Sequence, residues 1–229
     1  ISDTLDQIAN ADRNGYSVFG NLVYTEPLGT NGQLSASSSY SVSKDNSDMK
    51  TFANDYQNNY SILDTAMSSV YEKNYNTQSY GLGYRFNQND INFNINTNYN
   101  ISMLDNYGEF PLNLTTSRTF TSILPSVNLR YKITRDKNIN LNYRTRNNDP
   151  SVDQLQNVLN NRDPLQLKIG NPNLTQDYNH NLSLRYSSFD MSTMTSFFIF
   201  INGTITQDYI GNKTIIADNK PINYNDIII

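Results

Sequence analysis

From Ile91 to Ile101 the chain alternates without a break. Ile91, Phe93, Ile95, Thr97, Tyr99 and Ile101 share one parity, and Asn92, Asn94, Asn96, Asn98 and Asn100 share the other. Successive side chains of a β-strand point to opposite faces. The run is therefore a strand with one apolar face and one carboxamide face. It is not an amphipathic helix, whose apolar positions recur every three or four residues. The same period appears at Tyr80, Leu82, Tyr84, Phe86; at Val127, Leu129, Tyr131, Ile133; at Ile139, Leu141, Tyr143; and at Leu182, Leu184, Tyr186. Weaker strands are read at Tyr16 to Glu26 and Gln33 to Lys44. A last strand runs from Met191 to Thr206 and is apolar on both faces near Phe197 to Ile201.

These are eight strands, and the links between them alternate in length. Short, turn-rich links are predicted at Pro27–Gly32, Asn87–Asp90, Thr134–Asn138 and Ser187–Asp190. Long polar links are predicted at Asp45–Asn76, Met103–Thr119 and Asn147–Tyr178, with another long segment after Gln207. Residues 1–13 read as an N-terminal stub. Within the third long link, Val152, Leu155, Val158 and Leu159 have the spacing of a short surface helix.

Composition supports strands over helix or disorder. Hydrophobic residues make up 37% and charged residues 17%, below the usual averages of about 45–50% and about 25%. Disordered chains are poor in aromatics, whereas this chain has an aromatic share of 12% with 17 Tyr. The net charge of −4 argues against a nucleic-acid partner. The chain has no Cys and one His. Disulfides, thiolate chemistry and zinc ribbons are thereby excluded, and His-based triads disfavoured. Asp45, Asp48, Asp55 and Asp64 lack the spacing of a calcium loop. No pair of carboxylates is singled out for acid–base work. The expectation is a protein that is not an enzyme and has no cofactor.

Alternation alone leaves two architectures open. In a soluble sandwich the apolar face fills the core and the Asn face meets water. In a membrane barrel the apolar face meets lipid and the Asn face lines a wet lumen. Strands of about ten residues suit a tilted membrane crossing. Tyr24, Tyr84, Tyr131 and Tyr186 precede short turns on the apolar face, where an interfacial aromatic belt belongs. His180, on the same parity at a strand start, reads as interfacial. The predicted fold is all-β: an antiparallel transmembrane barrel with short periplasmic turns and long extracellular loops.

One stretch carries a family resemblance. Arg144-Thr-Arg-Asn-Asn-Asp-Pro-Ser-Val-Asp-Gln-Leu-Gln156, followed by Gly170-Asn-Pro-Asn-Leu174, resembles the late-barrel region of TonB-dependent outer-membrane receptors. There a strand ends in an Arg-x-Pro-Ser-like stretch, and a loop carries Gly-Asn-Pro-x-Leu before the next strand. With Asp163-Pro164-Leu165, the form is most similar to the Bacteroidetes-type outer-membrane β-barrel family. The resemblance implies a Gram-negative outer-membrane protein importing a nutrient: a glycan, a peptide or a chelate. It also implies outer-membrane lipid as surroundings, a plug domain and TonB as partners, and a surface lipoprotein as a possible further partner. Such receptors have about 22 strands, and no plug or TonB-binding segment is visible here. A segment of a larger barrel is therefore expected. Two other readings stay open: a structural or surface-binding outer-membrane barrel, and a secreted soluble β-sandwich adhesin.

Charged residues on the strands follow one rule. Arg85, Arg130, Lys132, Arg144, Arg146 and Arg185 all lie on the polar parity. A charge facing lipid at the midplane costs about 2–4 kcal/mol, so these belong in the lumen. Arg85, Arg130, Lys132 and Arg185 lie near the short turns and are expected to form a basic inner wall. That wall would face acidic groups of a plug or a solvated lumen. Arg144 and Arg146 lie at the other end. They are expected to pair with Asp149, Asp153 or Asp163 and hold the loop down, or else to meet an anionic or polyhydroxyl ligand. Asn171, Tyr56, Tyr60 and Tyr107 complete the candidate outer ligand region; these Tyr, with Tyr71 and Tyr75, read as stacking platforms or as loop packing.

Overall fold

The computed structural model describes residues 6–55, 57, 59–110, 113–156 and 169–213. Eight strands follow one another: β1 (Gln7–Leu28), β2 (Gly32–Asn54), β3 (Tyr60–Gln88), β4 (Ile91–Phe110), β5 (Leu114–Thr134), β6 (Lys137–Asn148), β7 (Asp177–Asp190) and β8 (Thr195–Gln207). One short helix, α1 (Val152–Leu155), lies between β6 and β7. They form one antiparallel sheet in the order β1-β2-β3-β4-β5-β6-β7-β8. Every strand thus pairs with its sequence neighbours. Among the described residues β1 pairs only with β2 and β8 only with β7, so the sheet is open.

The register settles which residues share a face, because directly opposed residues on paired strands point the same way. Asn94 opposes Arg85 on β3 and Asn128 on β5. Arg130 opposes Asn140, which opposes Arg185. All the strand residues named as basic candidates therefore lie on the Asn face. Burial is inverted relative to a soluble sandwich. On the apolar face Leu22 is 74% exposed, Leu82 62% and Ile123 62%, whereas Asn92 to Asn100 are half-buried on the concave side. Among the described residues the buried hydrophobics are only Leu104, Phe120 and Leu155. Among the described residues no apolar layer covers the Ile/Leu/Tyr face. This excludes the sandwich, whose apolar faces must meet across about 10 Å.

The outer face changes chemistry partway along each long strand. On β2 it runs Leu34, Ala36, Tyr40, Val42 and then Lys44, Asn46, Asp48, Lys50. On β3 it runs Phe86, Tyr84, Leu82, Tyr80 and then Gln78, Asn76, Asn74, Glu72. Lys44 and Glu72 form an ion pair of 2.7 Å just beyond the switch. Tyr178 and Tyr186 on β7 lie eight residues apart, as do Tyr16 and Tyr24 on β1. At about 3.3 Å per residue that is about 26 Å of strand, matching an apolar band about 25 Å tall before tilt.

The strands outrun that band. β3 has 29 residues, about 95 Å of chain at about 3.3 Å per residue, whereas a crossing needs about 9–11. The predicted long links at Asp45–Asn76 and Met103–Thr119 are therefore mostly strand, with connections only at residues 55–59 and 111–113. Their polar residues look like loop in sequence because both faces meet water there. Pairing with a neighbour nevertheless satisfies the backbone. Residues 7–13 are likewise strand rather than a stub. The fourth short turn is at residues 191–194, not Ser187–Asp190. Asp190 anchors it by accepting the Ser192 amide at 2.8 Å. Gly29, at φ 69°, supplies the left-handed residue of the β1–β2 turn. In the predicted surface helix only Val152–Leu155 is helical; Val158 and Leu159 lie outside the described residues.

Candidate functional site

The concave face carries two polar features, one near each end of the membrane band. Near the short turns stand the basic residues. Arg130 Nε donates to Asn140 Oδ1 at 3.0 Å, and Asn140 Nδ2 donates in turn to Asn138 Oδ1 at 3.0 Å. Arg185 lies 5.3 Å from the Phe200 ring and 5.9 Å from Phe198. The register places both Phe on the inner face and Phe197, Ile199 and Ile201 on the outer face. This assigns the two-sided apolar stretch of β8, whose facing alternation alone left open. Among the described residues Arg85, Arg130, Lys132 and Arg185 make no ion pair.

A groove of about 530 Å³ runs from Asn94, opposite Arg85, toward the polar end, its wall formed by β3, β4, β5 and β6. Its lining includes Asn94, Asn96, Asn98, Asn100, Asn128 and Asn142, with Arg144 and Arg146 on one side. Its shape follows from sequence in a simple way. Gly81 and Gly83 on β3 carry no side chain, and the Asn98 and Asn96 carboxamides lie over them from β4. A Cβ at either glycine would meet those oxygens at 2.4 and 2.0 Å. Part of the amide capacity is used internally, since Asn96 Nδ2 donates to Asn94 Oδ1 at 3.1 Å and Ser79 Oγ to Asn100 Oδ1 at 2.6 Å. The carboxamides of Asn98, Asn128 and Asn142 make no side-chain hydrogen bond among the described residues, and no carboxylate lines the groove.

The link after β6 folds back onto the inner wall above this groove. Ser151 caps α1 and accepts the Gln154 amide at 3.3 Å; Gln154 Oε1 accepts the Ser151 amide at 2.8 Å. The pair is a reciprocal capping box. It presents Leu155, 2% exposed, to Leu104 and Phe120, with Tyr75, Val152 and Leu174 around them. Asp149 accepts from Tyr75 on β3, from Gln176 at the far end of the link, and from Asn147 Nδ2 at 3.3 Å. Burial and the Asp149 carboxylate together raise the Tyr75 phenol above its ordinary value. Gly170 N donates to Gln156 O at 2.9 Å and Asn171 N to Gln154 O at 2.7 Å. A Cβ at Gly170 would lie 2.5 Å from the Asp153 and Gln156 carbonyls. The Gly-Asn-Pro stretch is thus the clasp that closes the link on α1.

Several predicted site residues are placed differently. Arg144 and Arg146 pair with neither Asp149 nor Asp153; the link is held by Asp149 through neutral donors instead. Asp153 is exposed on α1, and Asp163 lies outside the described residues. Asn171 is a turn residue, its Oδ1 accepting the Asn173 amide at 2.9 Å. Tyr60 donates to Asp6 at 2.9 Å beside the β2–β3 connection. Tyr107 is exposed on the outer face of β4. Neither lines the groove, and Tyr56 lies outside the described residues. His180 sits on the outer face between Tyr143, whose hydroxyl is 2.8 Å from its Nδ1, and the Tyr178 ring at 4.8 Å. Tyr75, one of the tyrosines read as a stacking platform or as loop packing, holds the link through Asp149; the groove Asn residues were not marked as site residues in the sequence. The unbroken Asn alternation was the available signal.

The geometry has an apolar face with no cover, a wet polar face, and a polar extension past one end of the apolar band. The outer membrane protein β-barrel family matches residues 2–226. The chain belongs to that family. No curated protein matches the chain. Family membership and the inverted burial agree: this is a β-barrel chain of the bacterial outer membrane, with lipid against its Ile/Leu/Tyr face. In that setting the short-turn end is periplasmic and the polar extension extracellular.

Proposed function

We propose that this chain is a barrel segment of a TonB-dependent transporter that imports a nutrient across the outer membrane. The supporting observation is the inner wall. It is rich in Asn and Ser and carries Arg85, Arg130, Lys132, Arg185, Arg144 and Arg146 without an ion-paired partner among the described residues. Such a wall suits a ligand path and, near the periplasmic turns, the acidic surface of a plug. The open edges add to this reading. The outward backbone groups of β1 and β8 find no water in lipid, so each edge must meet another strand, which a larger barrel supplies. The work expected of the wall is binding and passage, not covalent chemistry.

A second reading is a surface-binding barrel without active transport. It is favoured by the height of β1–β5, which extend well past the apolar band with polar residues on their outer face. Uptake separates the two. Cells expressing the full-length protein are given labelled glycans, peptides and metal chelates, with and without a protonophore and with and without TonB. Energy- and TonB-dependent accumulation is expected. Surface binding with no accumulation would leave the second reading standing.

A further inference from the structure

The groove on the inner wall has a composition that discriminates among ligands. Arg144 and Arg146 stand two residues apart on β6, both exposed to it; among the described residues no carboxylate lines the groove and neither arginine makes an ion pair. Two unneutralised guanidinium groups present ten N–H donors and no acceptor, in forks that match carboxylates. Around them Asn98, Asn128 and Asn142 offer carboxamides without side-chain hydrogen bonds among the described residues. A carboxamide both donates and accepts, as a hydroxyl does. An array of carboxamides therefore complements a ligand dense in hydroxyls. An apolar ligand finds only Leu124, Val127 and Tyr143 in the lining. A cationic one meets repulsion. A peptide would add to a sheet edge or fill apolar pockets, but the groove lies mid-sheet, where β3 to β6 are already paired on both sides.

We propose that this groove binds an acidic oligosaccharide, with sugar carboxylates on Arg144 and Arg146 and hydroxyls on the Asn carboxamides. This rests on the reading of the inner wall as a ligand path and names the ligand class for it. The position fits entry from outside, because β6 ends beside the groove and the clasped β6–β7 link sits directly above it. The guanidinium pair supplies attraction over distance. The carboxamide array supplies the recognition of hydroxyl pattern.

The test is calorimetric titration of the full-length protein in detergent with a short oligogalacturonate. Comparators are a neutral oligosaccharide of the same length, oligoglutamate and inorganic phosphate. Selective binding of oligogalacturonate is expected, weakening as salt rises. R144Q and R146Q should each weaken it about tenfold, the loss of one charge-assisted contact. K50Q, on the outer face of the extracellular hairpin, should leave it unchanged. Circular dichroism and heat-modifiable migration report whether the arginine variants retain the barrel. Equal binding of the neutral sugar, of oligoglutamate or of phosphate overturns the proposal, as does full binding by a folded R144Q/R146Q double variant. Selective binding without energy-dependent uptake would keep this ligand class and remove transport. Uptake of a neutral or peptide nutrient by a protein that ignores oligogalacturonate would do the reverse.

Discussion

Gly170 and Tyr75 show how single residues set the shape of the extracellular mouth. Gly170 fits against three carbonyls at the end of α1 because it has no Cβ. Gly170→Ala must displace backbone, an overpacking cost of about 1–3 kcal/mol. The expected outcome is faster proteolysis of the β6–β7 link with the barrel intact. Tyr75 is argued from its neutral form, which donates to Asp149. Its folded-state pKa is raised, first by burial and then by Asp149. The link is therefore held fully below the phenol's ordinary range and loosens as pH rises through the raised value. Tyr75→Phe should remove that alkaline transition and open the link at neutral pH, measured by hydrogen exchange at Gly170 and Asn171. The Gly-Asn-Pro stretch was legible as a turn, but not its role. The carbonyls it fits against come from residues far enough along the chain that only the folded link brings them together.

At the scale of the element, the strands were legible by parity and their ends were not. Inside the band one face meets lipid, so apolar residues must alternate with polar ones. Beyond it both faces meet water and the alternation disappears, although hydrogen bonding to a neighbouring strand continues. This is why β4 was readable from Ile91 to Ile101 while its continuation to Phe110 was read as loop. Ile95 and Asn96 give the direct comparison of faces. Ile95→Arg puts a charge toward lipid and should cost about 2–4 kcal/mol near the midplane. Asn96→Arg, one residue along, should cost little. Urea unfolding in lipid vesicles measures both, and equal effects would contradict the assigned faces.

For the whole molecule, the chain has no Cys, so single cysteines report position cleanly. A cysteine at Lys50 should react with a membrane-impermeant thiol reagent on intact cells. One at Leu82, on the outer face inside the band, should react only after the membrane is dissolved. Reaction of both would place the band wrongly. The sequence by itself determined the strand count, the apolar and polar parities, and the shared polar face of Arg85, Arg130, Lys132, Arg144, Arg146 and Arg185. Those follow from period-two geometry and the cost of charge in lipid, which act on each strand separately. The tertiary structure alone decided the register. Register put the Asn rows of β4, β5 and β6 beside Arg144 and Arg146, the folded link seated Leu155 on Leu104 and Phe120, and the arginines have no acidic partner among the described residues. Neighbours across strands are set by how far each hairpin extends, and parity within one strand carries no information about that distance.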